Sequence, residues 1–170
     1  MKIAVDGLEI GYDIVGAGRP VMFLHGWGGR AESFAPICRE LSKSFEVCAL
    51  DFPGFGRAEL PREPYEIEQY AEWTRISMDI LGFRGCGVVA HSFGARVAIL
   101  LSSEFPELFS KMVLTGAAGL MELLTVALRY KTPDDAKVAE FSVPVRDAGA
   151  AFEAASHDFQ FTAALFSSLS

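Results

Sequence analysis

Hydrophobic and polar positions alternate in two ways along this chain. Short apolar runs end in polar or glycine-rich turns, and between them apolar residues recur at helical spacing. "KIAVDG" and "LEIGYDIVG" predict an N-terminal hairpin closed at Asp6-Gly7. "PVMFLHG" predicts a strand buried on both faces at residues 21–24, and "EVCALDFPG" a second at 47–50 that stops in a Pro-Gly turn. Between them "AESFAPICRELSKSF" predicts a helix over residues 31–45. Ile67, Tyr70, Thr74, Met78 and Leu81 predict a helix over residues 66–81. "GCGVVAH" predicts a strand at 86–90, the run from Phe93 to Glu104 a helix, and "KMVLTGA" a strand at 112–115.

Strand and helix taken in turn argue for an α/β fold: a three-layer sandwich around a mostly parallel sheet of about six strands. That pattern fills residues 1–119. Residues 120–170 form a divergent, helix-rich tail in which no further short apolar run ends in a polar turn. In the tail Phe152, Ala155, Phe159, Ala163 and Phe166 recur at helical spacing, with Phe161 and Leu165 on another face. A helix apolar nearly all round must be covered. With the sheet edge near Val113 lacking its usual neighbours, the tail helix from Phe152 to Phe166 is expected to pack over this region, or the protein to self-associate into a homo-oligomer.

Composition narrows the classes. Of 170 residues, 51% are hydrophobic and 22% charged, as in one globular domain with a substantial core. A net charge of −7 with no basic stripe argues against nucleic acid as a partner. No apolar run reaches the length of a membrane span, and "MKIAVDGLEI" has no secretory h-region. Cys38, Cys48 and Cys86 are scattered, without metal-ligand spacing, and fit a reducing, cytoplasmic setting. No cofactor and no metal is implied.

The chemistry centres on "VVAHSFGAR". A serine hydroxyl is a poor nucleophile until a base takes its proton. A sharp strand-to-helix turn lifts the hydroxyl of Ser92 clear of the sheet. It also sets the next backbone N–H at a helix N-terminus, where a developing negative oxygen is favoured. Such an elbow brings strand and helix close, so the residues two before and two after the serine must be small; here they are Ala90 and Gly94. Acyl transfer needs a second N–H donor from another loop. "FLHGWGGR" offers it: Trp27 N–H, paired with Phe93 N–H, would form an oxyanion hole.

With "DFPGFGRA" again directly following a strand, the chain resembles the α/β-hydrolase superfamily. The resemblance rests on three ordered motifs, "HGWGG", "DFPGFGRA" and "AHSFGA", and covers roughly residues 2–119. It implies the spatial strand order 1-2-4-3-5-6 with the last four strands parallel. It also implies Ser92 as nucleophile with Trp27 and Phe93 as oxyanion donors, and argues against relatives with Asp at that position, such as haloalkane dehalogenases and epoxide hydrolases. The family adds a lid and two further strands carrying an acid and then a histidine base. No such strands are visible here, so the fold is expected to lack the last two, as in a truncated hydrolase.

The base is weighed among three histidines. His25 lies in the oxyanion-loop motif and is expected to brace it; His91 precedes the nucleophile and is expected to point away. His157 remains, inside the helix-like "AASHDFQF". For the acid, Asp135 is a candidate beside Asp134 and Asp147, and Glu122 is the nearest carboxylate if the acid follows the sixth strand. The leading expectation is a serine hydrolase acting on a small-molecule ester or related acyl compound, with an incomplete triad. The alternative is a non-catalytic or truncated hydrolase-like domain used for binding or without independent function.

Overall fold

The computed structural model of the protein describes residues 1–117. Strands β1 (Lys2–Val5) and β2 (Leu8–Gly16) form the expected hairpin. Asp6 at φ 48° and Gly7 at φ 78° both take the left-handed conformation that a two-residue turn between twisted strands requires. Strand β3 (Arg19–Leu24) follows, then β4 (Phe45–Leu50), β5 (Cys86–His91) and β6 (Phe109–Thr115).

These six strands make one sheet in the order β1-β2-β4-β3-β5-β6. β2 runs antiparallel to β4, while β3 pairs in parallel with β4 and β5, and β5 with β6. Both the order and the parallel set are as the motif resemblance implies. The central strands are apolar because both faces are covered: Val21, Met22, Phe23 and Leu24 of β3, and Val47, Cys48, Ala49 and Leu50 of β4, are all buried.

Between β3 and β4 the expected single helix over residues 31–45 is not found. A 3-10 turn over Ala31–Phe34 leads into α1 (Ala35–Leu41), and Phe45 already belongs to β4. Pro36 stands in the first turn of α1, where its missing N–H costs nothing, and this favours a fresh helical start there. Phe45 is drawn into the sheet by its pairing with Arg19.

Helix α2 (Ile67–Leu81) opens with a capping box in which Gln69 accepts the Glu66 N–H, and it ends on Gly82 in the left-handed conformation. Its buried face carries three hydroxyls: Thr74 donates to the Tyr70 carbonyl at 2.7 Å and Ser77 to that of Trp73 at 2.8 Å, both within the helix, while Tyr70 donates to the Pro53 carbonyl at 3.3 Å. Helix α3 (Phe93–Glu104) buries Ala95, Val97, Ala98 and Leu101 in the same core. Cys38, Cys48 and Cys86 are free and buried, and burial pushes the thiols of Cys38 and Cys86 up to about 12.

Among the described residues no helix is long and apolar enough to cross a membrane. The tail beyond the core lies outside the described residues, and with it His157, Asp134, Asp135, Asp147 and Glu122.

Candidate active site

Three loops leave the C-terminal ends of the parallel strands β3, β4 and β5, the end at which open α/β sheets place their ligands. The loop after β3 begins with His25, which is 1% exposed. Its Nε2 accepts the Phe52 N–H at 3.0 Å, so the ring proton sits on Nδ1 and is donated to the Gly26 carbonyl at 2.8 Å. Burial holds this imidazole below its ordinary pKa and keeps it neutral. His25 therefore clasps the β3 loop to the β4 loop, the bracing role expected of it, and both its nitrogens are taken.

The loop after β4 begins with Asp51, also 1% exposed. Its Oδ1 accepts the Ala31 N–H at 2.6 Å. Its Oδ2 accepts Arg57 Nε at 2.8 Å and Arg57 N–H at 3.3 Å. The far edge of the same guanidinium donates to both oxygens of Asp13, each at 2.9 Å. Hydrogen bonds from Arg57 hold the Asp13 carboxyl below its ordinary pKa. A buried carboxylate is tolerated only when paired and hydrogen-bonded, and here β2, the β3 loop and the β4 loop all contribute to that pairing. This network was not legible in the motif, whose Asp51 and Arg57 need the fold to meet Asp13 and Ala31.

After β5 the chain makes the elbow. Ser92 holds φ 50° and ψ −109°, a conformation that L-residues avoid. Its N–H donates to the Thr115 carbonyl at 2.9 Å, and its own carbonyl accepts the Ala95 N–H at 3.1 Å. A serine that precedes a helix ordinarily spends its hydroxyl on the N–H groups of the first turn. Ser92 makes no such bond to α3.

The elbow depends on close backbone packing. A Cβ on Gly94 would lie 2.4 Å from the Leu24 carbonyl oxygen and 2.7 Å from that of His25, so only glycine lets α3 start against β3. A Cβ on Gly26 would lie 3.2 Å from the Cβ of Ser92, which places the oxyanion-motif loop beside the serine. His91 directs its Nδ1 to the carbonyl and hydroxyl of Thr115, both at 3.1 Å, and so ties the elbow to the end of β6.

Trp27, Ser92, Phe93 and Arg96 line an open cleft of about 270 Å³. Trp27 is 66% exposed and meets the Phe93 ring edge-on at 5.3 Å. Behind it Phe55 packs on Trp27 at 4.9 Å and Tyr70 on Phe93 at 5.0 Å, an aromatic wall on one side of the serine. As the first residue of α3, Phe93 has an N–H without an intrahelical partner. The structure thus brings Ser92, Trp27 and Phe93 together. It adds Arg96, which the sequence reading did not single out.

A family described as the alpha/beta hydrolase fold matches residues 19–163, beyond residue 119 where the motif resemblance ends. The 2-hydroxymuconate semialdehyde hydrolase of Pseudomonas sp. (strain CF600) is 31% identical over 131 residues, 75% of this chain and 46% of that protein. Epoxide hydrolase 4 of Mus musculus is 29% identical over 117 residues, 66% of this chain and 33% of that protein. The crystal structure of a membrane phospholipase A, a bacterial virulence factor, superposes with a TM-score of 0.67 at 29% identity, over 70% of this chain and 39% of that one. The chain spans less than half the length of these relatives.

Proposed function

From the premise that the chain belongs to the alpha/beta hydrolase family, we propose that it carries the nucleophile half of a serine hydrolase acting on a small-molecule ester or related acyl compound. The observation that carries this reading is Ser92 itself. It is held at φ 50° between β5 and α3, and its hydroxyl is not used to cap the helix it begins. Backbone strain kept in place by surrounding hydrogen bonds is characteristic of reactive positions.

In the proposed reaction the Ser92 oxygen attacks the acyl carbon, and its proton passes to a base. The carbonyl electron pair moves onto oxygen, where the N–H groups of Trp27 and Phe93 stabilise it. The electron pair then returns, the bond to the leaving alcohol breaks, and the alcohol departs with a proton. Water hydrolyses the acyl-serine by the same route and restores the hydroxyl. The serine at this position favours that chemistry over the carboxylate nucleophile expected of epoxide hydrolases, even though one such enzyme is a relative.

One observation favours a second reading, a hydrolase-like domain that binds acyl compounds without turning them over. Both nitrogens of His25 are engaged in bracing, and Nδ1 of His91 is engaged by Thr115. The remaining candidate base, His157, and candidate acid, Asp135, belong to the tail. A fluorophosphonate probe separates the readings. Slow labelling at Ser92, abolished in Ser92→Ala and changed less than about twofold in His157→Ala, supports a poised serine without an efficient base. Rapid turnover of short-chain 4-nitrophenyl esters that collapses in His157→Ala establishes a full triad. No labelling at any probe concentration rejects Ser92 as nucleophile.

A further inference from the structure

Arg96 is the fourth residue of α3 and shares the cleft with Ser92, Phe93 and Trp27. Its backbone is fixed by a hydrogen bond from its N–H to the Ser92 carbonyl at 3.3 Å, so the base of its side chain is tied to the elbow. The side chain is exposed, and no carboxylate among the described residues pairs with it. Arg57, Arg75 and Arg84 each bind at least one carboxylate. Arg19, Arg30, Arg39 and Arg62 pair with none among the described residues either, and what sets Arg96 apart from them is its place in the wall of the Ser92 cleft. The position is electrostatically unfavourable for a cation, because the first turn of a helix carries the positive end of its dipole. No acidic residue in that turn of α3 offsets it.

We infer that Arg96 is a specificity-determining residue of the Ser92 cleft, and that it binds a carboxylate carried by the acyl compound. The inference rests on the reading of Ser92 as nucleophile. The two walls of the cleft divide the ligand between them. Trp27 and Phe93 present aromatic surface suited to an apolar body. Arg96 presents a planar fork of donors that matches a carboxylate in bidentate fashion. Part of the unfavourable field at the start of α3 is relieved when an anion arrives, so binding such a ligand repairs the local charge. A protein of net charge −7 repels anions at long range, and a local cation beside the nucleophile is then what admits an anionic substrate.

The test uses the full chain and two esters of 4-nitrophenol, the neutral butyrate and the singly anionic glutarate. Their ratio of kcat/KM is the readout. Arg96→Gln is expected to lower the glutarate-to-butyrate ratio about tenfold, mainly through KM for the glutarate, and Arg96→Lys to lower it less. Arg39→Gln, on α1 away from the cleft, is the control for loss of net charge. An equal fall for both esters, or the same change in ratio for Arg39→Gln, overturns the inference.

A second arm needs no catalysis. In a Ser92→Ala background, calorimetry with N-butyl glutaramate, an amide bearing one carboxylate, is expected to show about tenfold weaker binding when Arg96→Gln is added. Unchanged binding overturns the role of Arg96. If the wild-type chain is neither labelled by the phosphonate nor active on either ester, the nucleophile reading fails, and this binding arm still decides Arg96.

Discussion

Two openings lie past the C-terminal ends of the parallel strands, and they differ in how their charges are settled. The larger, about 360 Å³, is lined by Asp13, Arg30, Glu32, Asp51, Gly56 and Arg57. At its centre Arg57 is bound on both edges by carboxylates, and the buried carboxylate of Asp51 has a partner at each oxygen, while Arg30 and Glu32 on its wall make no ion pair among the described residues. The smaller is the Ser92 cleft, where a strained serine leaves its hydroxyl uncommitted to the helix and an arginine stands without a described carboxylate. Size therefore misleads here. Groups that satisfy one another, as Asp51 and Arg57 do, hold loops in place, and groups left unsatisfied beside a strained serine are the ones a ligand can answer.

The sharpest way to break this contrast is to unsettle the settled pocket. Asp51→Ala leaves the Ala31 N–H and one edge of the Arg57 guanidinium without their acceptor. Removing one member of a buried pair costs about 3–5 kcal/mol. Urea unfolding is expected to show a loss toward the lower end, because Arg57 is 41% exposed and water screens its charge. A loss below ~1 kcal/mol would show that this pocket does not hold the loops.

A smaller effect should follow from crowding the packing of α3 against β3 beneath the open cleft. In Gly94→Ala the added methyl meets two backbone oxygens, which cannot swing aside as a flexible side chain would. Overpacking of this kind costs about 1–3 kcal/mol. Because α3 must shift away from β3, the Phe93 N–H moves with it, so phosphonate labelling at Ser92 should fall more than stability alone explains. Labelling at the wild-type rate in a folded Gly94→Ala chain would mean that the helix start does not set the reactivity.

The smallest effect concerns His25, which joins the two regions. Its pKa in the folded chain lies below the ordinary 6.5, chiefly through burial. As pH falls through the unfolded value the unfolded chain takes up the proton first, so stability drops until the folded value is passed. Stability contributed by neutral His25 is thus complete above about pH 6.5 and is lost below it. Denaturant midpoints measured from pH 7.5 to 5 should fall, and His25→Asn should flatten that slope while lowering stability throughout. An unchanged slope would show that burial does not shift the His25 pKa.

Local patterns in the chain carried most of the sheet. The apolar runs ending at Leu24, Leu50 and Ala90 mark strand ends because a strand covered on both faces must stop where polar backbone first meets solvent or a ligand. Small residues around Ser92 marked the elbow for a similarly local reason. The helix predicted over residues 31–45 failed where two long-range facts overrode its periodicity: a fresh start at Pro36 and the pairing of Phe45 with Arg19. Arg57 and Arg96 look alike in the sequence. One meets Asp13, 44 positions away, and the other meets no described carboxylate, a distinction made only by the fold. His157 and Asp135 were candidates by elimination and chain order rather than by any contact.

The hydrogen bond from the Ser92 N–H to the Thr115 carbonyl has a consequence in time. The elbow keeps its unfavourable backbone only while something outside it holds the strain, and one of the holders is the last residue of β6. A chain is made from its N-terminus, so the three loop motifs exist well before that strand does. Until Thr115 has left the ribosome and β6 has zipped onto β5, nothing anchors the elbow from that side, and the serine is free to relax into an ordinary turn. The strained backbone at Ser92 is then a late acquisition of the folding chain. The nascent chain keeps its elbow unset until β6 has joined the sheet beside it.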